Sequence, residues 1–146
     1  MNEADVTKQI RLILPGPLRI KKNSKRPITI GGKNSKRRTI MIPGKPYQAW
    51  ENEARKAAMM GLPFAFKPFV GPIEVTALIY YKGNKPDLSG CTESIGDCLE
   101  GIVWEDDGQI DSWDGSRRIH DKHNPRTEVV IRELGLRVGP LFQREG

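Results

Sequence analysis

The amino-acid sequence predicts one α+β domain: a two-layer arrangement in which a mixed β-sheet carries two helices on one face. Three observations lead there. The chain has 146 residues, the size of one domain built on one core. Segments with strand-type alternation stand near its start, middle and end, and segments with helical periodicity lie between them. The order is strand, hairpin, helix, strand, helix, strand, strand. Neither an internal repeat nor a shift in composition divides residues 1–146 into two domains. The core is expected over residues 10–132, with residues 1–8 polar and loose and residues 135–146 a tail.

The first strand is read from Ile10, Leu12 and Leu14, which alternate with Arg11 and Ile13 and stop at Pro15-Gly16-Pro17. From Arg19 to Arg38 the chain carries nine Lys or Arg and no Asp or Glu. Ile28–Ile30 and Thr39–Ile42 read as two short strands around a glycine-rich turn, so residues 19–38 form a basic, flexible hairpin. Like charges at this density repel one another and are offset by a phosphate backbone, or else form a solvated loop that orders on binding. The cationic residues singled out are Lys21, Lys22, Lys25, Arg26, Lys36, Arg37 and Arg38.

Pro43 to Met60 reads as the first helix. Its apolar stripe is Tyr47, Trp50, Ala54, Ala57 and Ala58, and Gly61 with Pro63 stops it. Tyr47 and Trp50 offer stacking surfaces, but at this spacing they belong to a core. A connection rich in Pro and Phe (Phe64, Phe66, Phe69) follows, suited to a dimer contact or to packing over the sheet edge. Ile73 to Tyr81, rich in β-branched and aromatic residues, is the clearest strand. Beyond it, Lys82 and Lys85 flank Asp87.

The second helix starts at or after Asp87, because Pro86 cannot sit in a helix interior. Leu88, Cys91, Ile95, Cys98 and Leu99 make one stripe; Ser89, Glu93, Asp97 and Glu100 make the other face. Gly90 and Gly96 each weaken the helix by about 1 kcal/mol relative to Ala, so packing must hold it. Its N-terminus is a natural place for a phosphate. After Gly101, the apolar run Ile102-Val103-Trp104 presents Glu105, Asp106 and Asp107, three carboxylates whose repulsion a cation or an arginine offsets. An irregular strand to Ile119 follows. His120 to Pro125 then reads as a polar turn rather than a zinc site, and Thr127, Val129 and Ile131 mark a last strand.

The formal net charge is +6, which points to a polyanionic partner without naming one. Cys91 and Cys98 lie two helical turns apart, too far for a disulfide, and read as buried free thiols of a cytoplasmic protein. No apolar run is long enough to span a bilayer, and no membrane partner is expected.

The stretch from Lys85 to Ile110 resembles the RusA family of Holliday junction resolvases. That family's pattern is D-L-D-N, a Lys four residues after the second Asp, an apolar helix, then W/Y-E-D-D-x-Q-I/V. Here the corresponding residues are Asp87-Leu88-Ser89-Gly90, Glu93, and Trp104-Glu105-Asp106-Asp107-Gly108-Gln109-Ile110. The second part matches at every defined position. In the first, Ser89 replaces a carboxylate and Glu93 replaces the lysine. In order of elements the resemblance covers residues 10–132.

The resemblance implies a homodimeric endodeoxyribonuclease, dependent on Mg²⁺ or Mn²⁺, that resolves four-way DNA junctions. It places Asp87 and Asp107 as catalytic carboxylates and metal ligands within reach of one ion. Glu93 joins them as a catalytic and ligating candidate, and Asp106 as a further ligand. Residues 89 and 93 share a helix face, so Glu93 either rebuilds the carboxylate missing at 89 or is a solvated helix residue. Lys82 and Lys85 are candidates for the missing positive charge. The alternatives are a RusA-like protein that binds branched DNA without cutting it, and a basic protein whose acidic residues only cap a helix.

Overall fold

A computed structural model describes residues 8–21, 26–33, 36–42 and 44–135. The expected Lys22, Lys25 and terminal tail lie outside the described residues, as does the side chain of Arg26.

The α+β class holds. Four elements make the main sheet: β1 (Gln9–Pro15), β4 (Ile73–Tyr81), β7 (Arg126–Glu133) and an interrupted edge formed by β5 (Ile110–Ser112) and β6 (Arg117–His120). The order is β1-β7-β4, with β5 and β6 both beside β4. Pairing of β7 with β1 and β4 is antiparallel, whereas β5 and β6 run parallel to β4, so the sheet is mixed. β2 (Arg26–Ile30) and β3 (Arg38–Ile42) form a separate antiparallel hairpin with Ile28 opposite Ile40, the basic hairpin read from the sequence.

Alternation puts one face of the main sheet into the core. Ile10, Leu12 and Leu14 of β1, Ile73, Val75, Ala77 and Ile79 of β4, and Val129 and Ile131 of β7 are all buried. Helices α1 (Lys45–Gly61) and α2 (Leu88–Leu99) cover that face. α1 buries Tyr47, Trp50, Ala54 and Ala58, which makes Trp50 a core residue; α2 buries Cys91, Ile95, Cys98 and Leu99. The Arg55 guanidinium of α1 donates to the Cys98 carbonyl at 2.7 Å, tying the two helices where α2 ends. Burial pushes the thiols up, Cys91 to about 11 and Cys98 to about 12, as expected of free cysteines in a core.

The expected irregular strand after Ile110 divides in two. Ser116 N–H donates to the Trp113 carbonyl, Gly115 has φ +84°, and the Ser116 hydroxyl accepts from the Ala77 N–H at 2.9 Å. Side-chain bonds from this loop to Thr76 and Ala77 take the place of ladder pairing there, so β5 pairs at Ile73 and Glu74 and β6 only from Leu78 onward. In the Phe-rich connection, Phe69 is buried and bridged to Trp104, while Phe64 is fully exposed. His123 and Asn124 donate their backbone N–H groups to Asp121, so this segment is a polar turn. Among the described residues no helix is long and apolar enough to cross a membrane.

Candidate active site

The site is built on α2 and on the acidic loop that follows it. Asp87 caps α2: its Oδ2 accepts from the Gly90 N–H at 3.0 Å and from the Ser89 hydroxyl at 2.8 Å. The Asp87 carboxylate thus takes the place at the helix N-terminus that suits an anion. Arg118 of β6 reaches the same corner and donates to the Pro86 carbonyl at 3.0 Å. Gly90 is a glycine for a packing reason, since a Cβ there would sit 2.9 Å from Ile20 Cγ2. The chain ahead of the basic hairpin therefore lies directly on α2.

Asp107 is positioned from two sides. The buried Trp104 donates its indole N–H to Asp107 Oδ1 at 3.0 Å. Across from it, Gly96 lets the carboxylate approach, because a Cβ there would lie 3.3 Å from Oδ1. The loop itself is held by Gln109. Its Oε1 accepts from the N–H groups of Glu105 (2.8 Å) and Asp106 (2.7 Å). Its Nε2 donates to the carbonyls of Phe69 (2.8 Å) and Gly71 (2.9 Å).

Asp97, Glu100 and Asp107 come together, each offering a carboxylate oxygen within 4.8 Å of the others. Motif spacing does not single out Asp97 or Glu100 as site residues. A signal for them is present all the same, since they lie on the helix face of Glu93 at i+4 and i+7. Asp87 is not part of that group. It belongs to the first turn of α2, whereas Asp107 lies level with Gly96, and the six residues from Gly90 to Gly96 span about 9 Å of helix axis. Asp106 caps the 3-10 turn Asp107–Gln109, its Oδ2 accepting from the Gly108 N–H at 2.9 Å. Glu93 is exposed and shares with Asp107 a cleft of about 210 Å³, also lined by Thr92, Gly96, Ile110 and Trp113. Lys82 and Lys85 are exposed in the loop before Asp87; Lys36, Arg37 and Arg38 are exposed on the hairpin.

Mutual repulsion marks the acidic group. Partial burial, offset by the Trp104 hydrogen bond and reinforced by Asp97, raises the Asp107 carboxyl above the usual carboxylate range. Glu100 is raised first by the charge of Asp107. Hard oxygen donors at this spacing suit a divalent cation such as Mg²⁺ or Mn²⁺, which would offset the repulsion. Lys21 already lies against the group, with Nζ 3.4 Å from Asp97 Oδ2.

An α+β domain with clustered carboxylates and a separate cationic hairpin has the parts of a protein that acts on nucleic acid. Residues 17–132, well over half of the chain, match the family model described as Endodeoxyribonuclease RusA. The chain belongs to the RusA family, and at family level it is a junction-resolving endodeoxyribonuclease. No curated protein matches it.

Proposed function

We propose that this protein is a metal-dependent, structure-selective endonuclease that cuts four-way DNA junctions as a homodimer, its metal held chiefly by Asp107, Asp97 and Glu100. One observation carries the reading: these three carboxylates converge within 4.8 Å in a protein of this family. A bound Mg²⁺ or Mn²⁺ would supply an activated water and charge stabilisation at the phosphate. The chain's own residues do the rest. Trp104 and Gly96 set the orientation of Asp107, and Gln109 fixes the loop. Glu93, in the same cleft, completes the ligands or holds the attacking water. Asp87 fixes the start of α2. Lys36, Arg37 and Arg38, with Lys21, Lys22, Lys25 and Arg26, hold the phosphates, and Lys82 and Lys85, in the loop before Asp87, add to them. A two-fold dimer presents one such site to each of two opposed strands.

A second reading, binding of branched DNA without cleavage, is favoured by the Ser89 hydroxyl, which donates to Asp87 where the family has a further carboxylate. Incubating a synthetic four-way junction with the protein, with and without Mg²⁺ or Mn²⁺, separates the two. The first reading expects metal-dependent nicks at symmetric positions, lost in Asp107→Asn and in Glu93→Gln while junction binding remains. If the natural protein is inert with either metal and only the double change Ser89→Asp with Glu93→Lys cuts, the second reading replaces the first.

A further inference from the structure

We infer that Lys21 is a built-in counter-ion of the acidic centre, exchanged for the divalent metal and handed on to a DNA phosphate when the metal enters. The inference rests on the metal-site reading above and names a regulation of that site.

Lys21 is anchored to α2 by both its main chain and its side chain. Its backbone N–H donates to the hydroxyl of Ser94, a residue with no solvent exposure, at 3.1 Å. The preceding residue, Ile20, is 9% exposed and fills the space that Gly90 leaves open. With its backbone so fixed, Lys21 directs Nζ to Asp97 Oδ2 at 3.4 Å. Asp97 is also one of the three converging carboxylates. The same carboxylate is thus offered to an ammonium group and to a divalent ion.

Both cannot be held in place without cost. An ion bound to Asp97 Oδ2 at about 2.0–2.6 Å would stand within about 6 Å of Nζ, and like charges at that range repel. The side chain of Lys21 is 37% exposed and, among the described residues, Nζ makes a single ion pair, so the ammonium can leave. The backbone anchor does not involve the charge and stays. Nζ therefore swings within a fixed radius, beside the acidic centre where a scissile phosphate would lie. In the sequence, Lys22, Lys25 and Arg26 follow Lys21 closely. Metal loading and grip on DNA are then linked through one side chain, and the linkage is reciprocal.

Two measurements on the full chain test this without relying on cleavage. The first is junction affinity against salt concentration, in EDTA and in Ca²⁺, for the natural protein, Lys21→Gln and Lys21→Arg. The change in slope on adding Ca²⁺ should differ between the natural protein and Lys21→Gln by about 0.9, the value for one neutralised phosphate. Comparing the two proteins cancels the effect of Ca²⁺ on the DNA itself. Lys21→Arg should behave as the natural protein. The second is Mn²⁺ binding without DNA, by calorimetry, which should be about three- to tenfold tighter in Lys21→Gln. Equal slope changes in all three proteins, or unchanged Mn²⁺ affinity in a folded Lys21→Gln, would overturn the inference and leave Lys21 as an ordinary ion pair. If Lys21→Gln fails to fold, a Lys21→Arg protein whose slope does not respond to Ca²⁺ overturns it equally. A natural protein that binds no Mn²⁺ at all instead removes the metal-site reading beneath it.

Discussion

Replacing Trp104 by Phe isolates what the indole N–H does for Asp107. The ring bulk largely remains, but the donor 3.0 Å from Oδ1 is gone. A hydrogen bond to a charged group contributes about 1.5–3 kcal/mol. Asp107 is only partly buried and water competes there, so the lower end applies, about 1.5 kcal/mol. The loss falls on the ionised form alone, which raises the Asp107 pKa further. Metal binding requires the carboxylate to be deprotonated, so the pH midpoint of Mn²⁺ binding should move higher. The smaller ring also leaves a void at a residue with no exposure and lowers stability on its own account. Calorimetric Mn²⁺ titrations across a pH series measure the midpoint, and thermal unfolding measures the void. In an Asp107→Asn background the Trp104 change should no longer move the midpoint. A lowered Tm with an unmoved midpoint would refute the reasoning and reduce Trp104 to packing.

Three further outcomes are expected. Replacing Lys36, Arg37 and Arg38 together by Gln should weaken junction binding and flatten its log–log salt slope by about 0.9 for each phosphate left without its cation, as read from fluorescence anisotropy; an unchanged slope would assign the hairpin to solvent. Gly90→Ala gains about 1 kcal/mol of helix propensity but forces Ile20 aside, an overpacking cost of about 1–3 kcal/mol, so urea unfolding should show a net loss of about 1 kcal/mol. The pH dependence of stability in EDTA should have two opposed parts. Asp107 and Glu100 have raised folded-state pKa values, so their contribution is present at low pH and is lost as pH rises through those values. Asp121, lowered first by the Asn124 N–H, contributes above its ordinary pKa and loses that contribution as pH falls through its folded value. Unfolding midpoints across the carboxylate range check both signs, and Mn²⁺ should abolish only the first.

The fold is legible in the sequence because its signals are local. Ile10, Leu12 and Leu14 announce β1 by alternation, and Cys91, Ile95, Cys98 and Leu99 announce α2 by helical spacing, whatever the neighbours do. The division of the last edge into β5 and β6 is not legible. It depends on where Ser116 meets Ala77 in a strand about forty residues away. The acidic loop is legible as a motif, but the partners of Asp107 are not. Motif spacing pairs it with Asp87, whereas the approach opened by Gly96 sets it against the second half of α2, beside Asp97 and Glu100. Gly90 and Gly96 look like weaknesses of a helix. Each is a seat, one for Ile20 and one for Asp107, and a seat is defined only by what comes to occupy it. Ser94 gives even less sign of its part. A buried serine on an apolar flank carries no pattern, yet its hydroxyl receives the main chain of Lys21.

The hold of Gln109 also bears on how this chain tolerates insertion and deletion. Its amide closes four hydrogen bonds, two into the acidic loop and two onto the carbonyls of Phe69 and Gly71. The connection between α1 and β4, which has the composition of a tolerant surface loop, is therefore a template on which the carboxylate-bearing turn is set. Length can vary near Phe64, which projects fully into solvent. From Phe69 to Gly71 it cannot, because a shift of one residue replaces both acceptors, displaces the buried Phe69 and carries Asp107 away from α2. Natural length variation among relatives should accordingly collect before Phe66 and stop there. A Gln109→Glu exchange, which turns a donor pair into a carboxylate facing two carbonyls, should displace the acidic turn while leaving the sheet and both helices folded.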